Sequence, residues 1–131
     1  MTISSPPELP GMLNLDTHIL LKAFEGSITS RERRALTEDA EWSVSAIVLW
    51  EIAKLHQLGR LRYGLDHEPL AAALARIYVW PITRQVCLSL RVLDFQSDPA
   101  DEIIAATSVA HQIPLVTRDS RIRKSKIVRC I

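Results

Sequence analysis

Four short, mostly apolar segments constrain this chain more than any other feature: MLNL at 12–15, EWSV at 41–44, VWPI at 79–82 and PLVT at 114–117. Each is too short for a helix, and each is separated from the next by a helical pattern. Near-continuous apolar runs of this length suit strands covered on both faces, as in parallel sheets. The alternation predicts an α/β fold of three layers, with a central, mostly parallel sheet between helices. Ligands of such sheets bind beyond the carboxyl ends of the strands. The residues that follow each strand are therefore the first place to look for chemistry.

Strand Met12–Leu15 follows a break at Pro10–Gly11 and ends at Asp16, where Thr17 opens a helix that stops near Gly26. Ser30 to Ala40 reads as a charged helix. Ser45 is a good N-cap for the run AIVLWEIAKLHQLG, which Gly59 terminates. Leu65 to Tyr78 reads as an Ala-rich helix capped by Asp66, and Pro81 confines the third strand to a short or edge position. Arg84 to Leu93 is the next helix. Asp98-Pro99 announces another, continuing to His111, with proline at its first position. Asp119 starts a turn, and Ile127–Cys130 is expected as a last strand. The first eleven residues, MTISSPPELPG, are rich in Pro and Ser and are expected to form an arm (1–11) before a single domain (12–131).

Composition enters as a set of exclusions. With 47% apolar and 24% charged residues the chain resembles an ordinary soluble domain. No apolar run approaches the roughly 18 residues of a membrane helix, and the amino terminus lacks a signal-peptide pattern. Cys87 and Cys130 lie far apart without metal-ligand spacing, which fits free thiols in a reducing, cytoplasmic setting. The formal charge of +1 hides an asymmetry: residues 118–131 hold six Lys or Arg against one Asp. A basic tail on a mildly acidic body suits a polyanionic partner, although a solvated surface would look the same.

Four acids stand where the predicted sheet would gather them. Asp16 and Asp119 follow apolar strands, and Asp101 sits in the first turn of the helix that leads into the last of the four segments. Glu51 interrupts an apolar helix: Ile47, Leu55 and Leu58 fall within about 40° of it on the helical wheel. A buried lone carboxylate is costly unless paired or bound to a metal. Each acid also has a plain structural reading. Asp16 and Asp119 can cap helices or turns, Asp101 can interact with a helix dipole, and Glu51 can pair with Lys54. Together, four carboxylates at one edge would repel one another unless cations sit among them. Oxygen ligands without a His or Cys cluster favour Mg²⁺ or Mn²⁺ over zinc, and such a site suits phosphoryl chemistry.

The blocks LDTH at 15–18, SAIVLWEIAKL at 45–55 and DPADEIIAATSVAHQIPLVTRD at 98–119 resemble PIN domains, in particular the VapC-type toxins of bacterial toxin–antitoxin pairs. The resemblance covers nearly the whole chain after the arm. It implies an α/β/α fold and a Mg²⁺- or Mn²⁺-dependent ribonuclease. By match, Asp16, Glu51, Asp101 and Asp119 would be the catalytic metal-site acids. Thr17 and Thr117 would be supporting hydroxyls, and Ser45 the start of the Glu-bearing helix. It further implies an RNA substrate, an antitoxin protein partner and a homodimer. Arg118, Arg121, Arg123, Lys124 and Lys126, just beyond Asp119, are candidates for phosphate contact. The chain departs from the pattern at Ala100, where relatives often carry an aromatic, and at Glu102, where they carry a base. That acid beside Asp101 keeps open a different class, a PIN-like module that binds RNA or protein without cutting.

Overall fold

A computed structural model describes residues 11–37 and 40–131. The expected arm lies almost wholly outside the described residues. Gly11 enters with φ of 82°, a left-handed conformation that glycine adopts without penalty, and its carbonyl accepts the Glu41 amide.

Strand β1 (Met12–Leu15) is buried throughout. It pairs in parallel with β2 (Glu41–Ser45) on one side and β4 (Leu115–Val116) on the other. β3 (Tyr78–Trp80) pairs in parallel with β2, which gives the order β3-β2-β1-β4. Helices α1 (Thr17–Glu25), α2 (Ser30–Ala35), α3 (Ala46–Gln57), α4 (Glu68–Leu74), α5 (Arg84–Ser89), α6 (Pro99–His111) and α7 (Ser120–Arg123) connect the strands. They flank the sheet in the expected three-layer arrangement. Leu13, Leu15, Ile19, Val44, Val48, Ile52, Ile104, Leu115 and Val116 form the main core. Met12, Trp80 and Ile113 make a smaller cluster.

Several boundaries differ from expectation. The charged helix expected to Ala40 ends at Ala35, and the chain turns at Leu36; Glu38 and Asp39 lie outside the described residues. The Ala-rich helix starts at Glu68, with His67 rather than Asp66 at the N-cap and Pro69 in its first turn. It ends at Leu74, because Tyr78 is already hydrogen-bonded into the sheet beside Ser43. Helix α5 tightens into a single 3₁₀ turn over Leu90–Val92. The expected last strand is reduced to one parallel bridge, Leu115 to Cys130. The third strand is an edge strand, as Pro81 requires.

Register does the work of bringing distant residues together. Leu15 lies opposite Val116, so the next residues along, Asp16 and Thr117, emerge side by side at the carboxyl edge. Asn14, buried within β1, ties α6 to the sheet: its Nδ2 donates to the Ile104 carbonyl and to Ser108 Oγ. That contact holds the helix carrying Asp101 against the strand that ends in Asp16.

A candidate carboxylate metal site

Asp16 is the N-cap of α1. Its Oδ1 accepts the Ile19 amide at 2.8 Å, and its Oδ2 accepts the Thr117 hydroxyl at 2.5 Å. The plain capping role is therefore real, and it uses only one of the two oxygens. Thr117 Oγ1 also accepts the Asp119 amide at 3.1 Å. One buried hydroxyl thus links the acids that follow β1 and β4. Asp119 caps α7, with Oδ1 accepting the amides of Arg121 and Ile122.

Glu51 is half-buried on α3 and accepts a hydrogen bond from the Thr17 hydroxyl. It does not pair with Lys54, whose ammonium donates to Gln57 instead. Asp101, in the first turn of α6, accepts the Ser97 hydroxyl at 3.1 Å. Asp98, the N-cap residue, makes no side-chain capping bond. Ser45 is buried, and its Oγ accepts the Ile47 amide. It starts the Glu-bearing helix as expected and makes no side-chain hydrogen bond to the acids.

Electrostatics ties the four acids into one group. Burial pushes the Asp16, Glu51 and Asp101 carboxyls above their ordinary range. Hydroxyl donors oppose this: Thr117 at Asp16, Thr17 at Glu51 and Ser97 at Asp101. Asp101 also raises Asp16 and Glu51, and Asp119 raises Asp101. His18 acts on all three in the opposite sense.

Donor chemistry fits a hard divalent cation: carboxylate oxygens, partly desolvated and mutually repelling, with neutral hydroxyls behind them. As the side chains stand, no three His, Cys, Asp or Glu residues among those described converge tightly enough to grip an ion. Asp16, Glu51 and Asp101 rest on hydroxyl partners, and Asp119 rests on backbone amides.

Sequence reasoning missed three contributors. His18, two residues after Asp16 in LDTH, was the accessible one, since it stands in the same short motif. Ser97 carried no signal of its own. Glu102 is legible in sequence only as an acid beside Asp101; in the fold its Oε2 accepts the Ser97 amide at 2.9 Å. It holds the residue that holds Asp101.

The basic tail divides. Arg118, itself exposed, forms a two-point ion pair with buried Glu32. Arg123 donates to the carbonyls of Thr117 and Ile131. Both cations thus brace the fold, which leaves Arg118 Nη1 and Arg123 Nη2 without a hydrogen bond among the described residues. Arg121 uses one nitrogen on the Gln96 carbonyl. The side chains of Lys124 and Lys126 are exposed and form no salt bridge among the described residues.

A larger cavity, of about 1020 Å³, is lined by Leu36, Glu41, Trp42, Ala72, Ala73 and Tyr78 among others. Glu41 and Tyr78 begin β2 and β3, so it opens toward the amino edge, away from the acids.

The PIN domain family model matches residues 14–127. This chain belongs to the PIN domain family. All four acids fall within the matched span. Ribonuclease VapC22 of Mycobacterium tuberculosis is 27% identical over 118 residues, covering 86% of this chain and 90% of that protein. Among solved structures, VapBC2 of Rickettsia felis bound to a promoter DNA fragment superposes with a TM-score of 0.72 at 17% identity, covering 92% of this chain and 97% of that one. DNA-bound VapBC of Salmonella typhimurium gives 0.67 at 19%, covering 95% and 98%. FitAcB of Neisseria gonorrhoeae gives 0.64 at 22%, covering 92% and 96%. At these identities the superpositions establish a shared fold. Among the described residues, no helix is long and apolar enough to cross a membrane.

Proposed function

We propose that this PIN domain is a divalent-metal-dependent ribonuclease that hydrolyses RNA phosphodiester bonds, and that it serves as the toxin of a toxin–antitoxin pair. One observation carries the reading: acids from four separate segments gather at the carboxyl edge of the sheet, Asp16 and Asp119 joined through Thr117, Glu51 held by Thr17 beside Asp16, and Asp101 held by Ser97. Capping accounts for Asp16 and Asp119 singly, but the mutual repulsion of the four acids is a cost to the fold. Similarity to a VapC ribonuclease supports the substrate class.

Asp16, Glu51, Asp101 and Asp119 would hold Mg²⁺ or Mn²⁺. When bound, the metal supplies a more acidic water and neutralises charge on the leaving oxygen. The chain's own residues orient and hold: Thr17, Thr117 and Ser97 aim the carboxylates, and Asn14 fixes α6 against β1. Attack by water leaves a 5′-phosphate and a 3′-hydroxyl. No 2′-hydroxyl takes part, so preference for RNA comes from recognition rather than from the reaction.

The toxin reading places the chain in the cytoplasm with an antitoxin protein as partner, as in the VapBC complexes whose fold it shares. It also places two copies together as a homodimer. Trp50, on α3, is 56% exposed rather than packed in the core, and gives such a partner an apolar anchor.

A non-cutting RNA- or protein-binding module is the second reading. It draws on the carboxylates being held on hydroxyls rather than converged. One experiment separates the two. The purified chain is incubated with single-stranded RNA in EDTA, Mg²⁺ and Mn²⁺, with Asp16→Ala and Asp101→Ala as controls. Cleavage that needs the divalent ion and both acids supports the nuclease. Intact RNA in every lane of a folded, RNA-binding protein supports the module.

A further inference from the structure

A second cavity, of about 370 Å³, is lined by Asp94, Phe95, Ser120, Arg121, Lys124 and Ser125, with Ser120 directly following Asp119. Its two walls are the segments that support two of the carboxylates. One wall, Asp94 and Phe95, belongs to the loop that ends at Ser97, whose hydroxyl donates to Asp101. The other is α7 and the turn after it, and α7 is capped by Asp119. The walls are tied together. Arg121 Nη1 donates to the Gln96 carbonyl at 2.6 Å, and Asp94 accepts the Ser125 hydroxyl at 2.5 Å and the Lys126 amide at 2.8 Å. The cavity is therefore a braced feature and not a gap between two independent loops.

Its lining has a distinct chemical character. Asp94 is the one acid, and both its oxygens are committed to the C-terminal turn. Lys124 brings a charge with no ion partner among the described residues, and Arg121 keeps part of its guanidinium for a ligand. Phe95 presents a half-buried aromatic ring that also packs against the core. An aromatic surface beside two cations suits a base with its phosphate, and a base can meet such a ring only when unstacked from its own strand. The volume lies within the range of small-ligand sites.

Resting on the nuclease reading, we propose that this cavity receives a nucleotide next to the scissile phosphate of a single-stranded RNA. Phe95 lies against the base, and Arg121 and Lys124 meet the phosphate. The site thereby grips RNA on the Asp101–Asp119 side of the acids.

The test titrates a fluorescein-labelled single-stranded RNA octamer with the full chain in Ca²⁺ and reads anisotropy. Phe95→Leu and Lys124→Met are each expected to weaken binding about tenfold. Arg34→Met removes an exposed charge elsewhere and is expected to change nothing. Circular dichroism confirms that each variant is folded, and Lys124→Met keeps the test open if the Phe95 variant is destabilised. Pocket variants that bind like the wild-type chain overturn the proposal. So does an equal loss in Arg34→Met, which would mean unlocalised charge attraction, and so does a wild-type chain that binds no RNA. Cleavage in Mn²⁺ is measured in parallel. Binding through the pocket without cleavage retains the subsite and sinks the nuclease reading. Cleavage with KM unchanged in the pocket variants does the reverse.

Discussion

Arg118 grips Glu32 at two points, Nε to Oε2 at 2.6 Å and Nη2 to Oε1 at 2.7 Å, across 86 positions of sequence. Glu32 is 1% exposed and also accepts the Thr29 amide in a capping box. The Arg118 guanidinium holds its carboxyl down at about 2. Because the folded value lies below the ordinary 4.5, the pair stabilises the fold fully above that range. The contribution fades as pH falls toward 2. Glu32→Ala should cost about 2 kcal/mol at pH 7, a buried-pair value discounted because Arg118 is partly exposed. Urea midpoints at pH 7 and pH 3 check this: the gap between wild type and variant should narrow at the lower pH.

The acids of the site shift the other way. With Asp101 raised by burial and by Asp119, its ionised form opposes folding, and the strain is relieved as pH drops through the raised value. Asp101→Asn should therefore melt about 3 °C higher than wild type at pH 7 without metal, while losing RNA cleavage. Millimolar Mn²⁺ should raise the wild-type melting temperature by a similar amount through preferential binding to the folded chain. It should move the variant much less. Differential scanning fluorimetry reads both effects, and a metal shift of equal size in the variant would argue against Asp101 as a ligand.

Thr17 is buried, and its hydroxyl is the one side-chain donor to Glu51 among the described residues. Thr17→Val keeps the shape and removes the donor. Glu51, already raised by burial, should rise further, since the bond favours its charged form. The acidic limb of the pH profile of kcat/KM should move to higher pH, so that the loss relative to wild type grows as pH falls. Thr17→Ser should restore the profile, which a purely packing role would not require.

Glu102 separates bracing from ligation. Its Oε2 accepts the Ser97 amide, a task that a glutamine oxygen performs equally well. Glu102→Gln should cleave RNA within about threefold of wild type, whereas Glu102→Ala should lose about tenfold, of the order of one hydrogen bond. If the glutamine variant were as inactive as Asp101→Asn, Glu102 would be a metal ligand instead.

Much of this architecture was readable beforehand, for identifiable reasons. Strand-sized apolar runs set the sheet, and the residues after β1 and β4 became neighbours through register, which periodicity implies. The Glu51 argument needed only helical geometry and found a half-buried carboxylate, although Leu58 of the expected apolar face is exposed and the buried residues of α3 are Val48 and Ile52. What failed was competition between levels. The run AAALAR favours helix through Arg76, yet the chain unwinds after Leu74 because Tyr78 gains a place beside β2. The final strand was curtailed for a similar reason: Asp94 clamps the turn at Ser125 and Lys126, leaving only Cys130 to reach β4. In the basic tail, nearness to Asp119 revealed nothing about which cations had partners. Glu32, which consumes Arg118, is visible only once the chain is folded.

The pairing of β1 with β4 also dictates an order of events during synthesis. Domains begin to organise from the amino terminus as the chain emerges. The strand that opens this domain finds one neighbour early, in residues 41–45, and waits for the other until residues 115–116 exist. Until then Asp16 lacks the Thr117 hydroxyl, and Asp119 has not been made. On the nuclease reading, a half-finished copy is therefore harmless to RNA, because the proposed centre closes only as translation nears the last of its four acids.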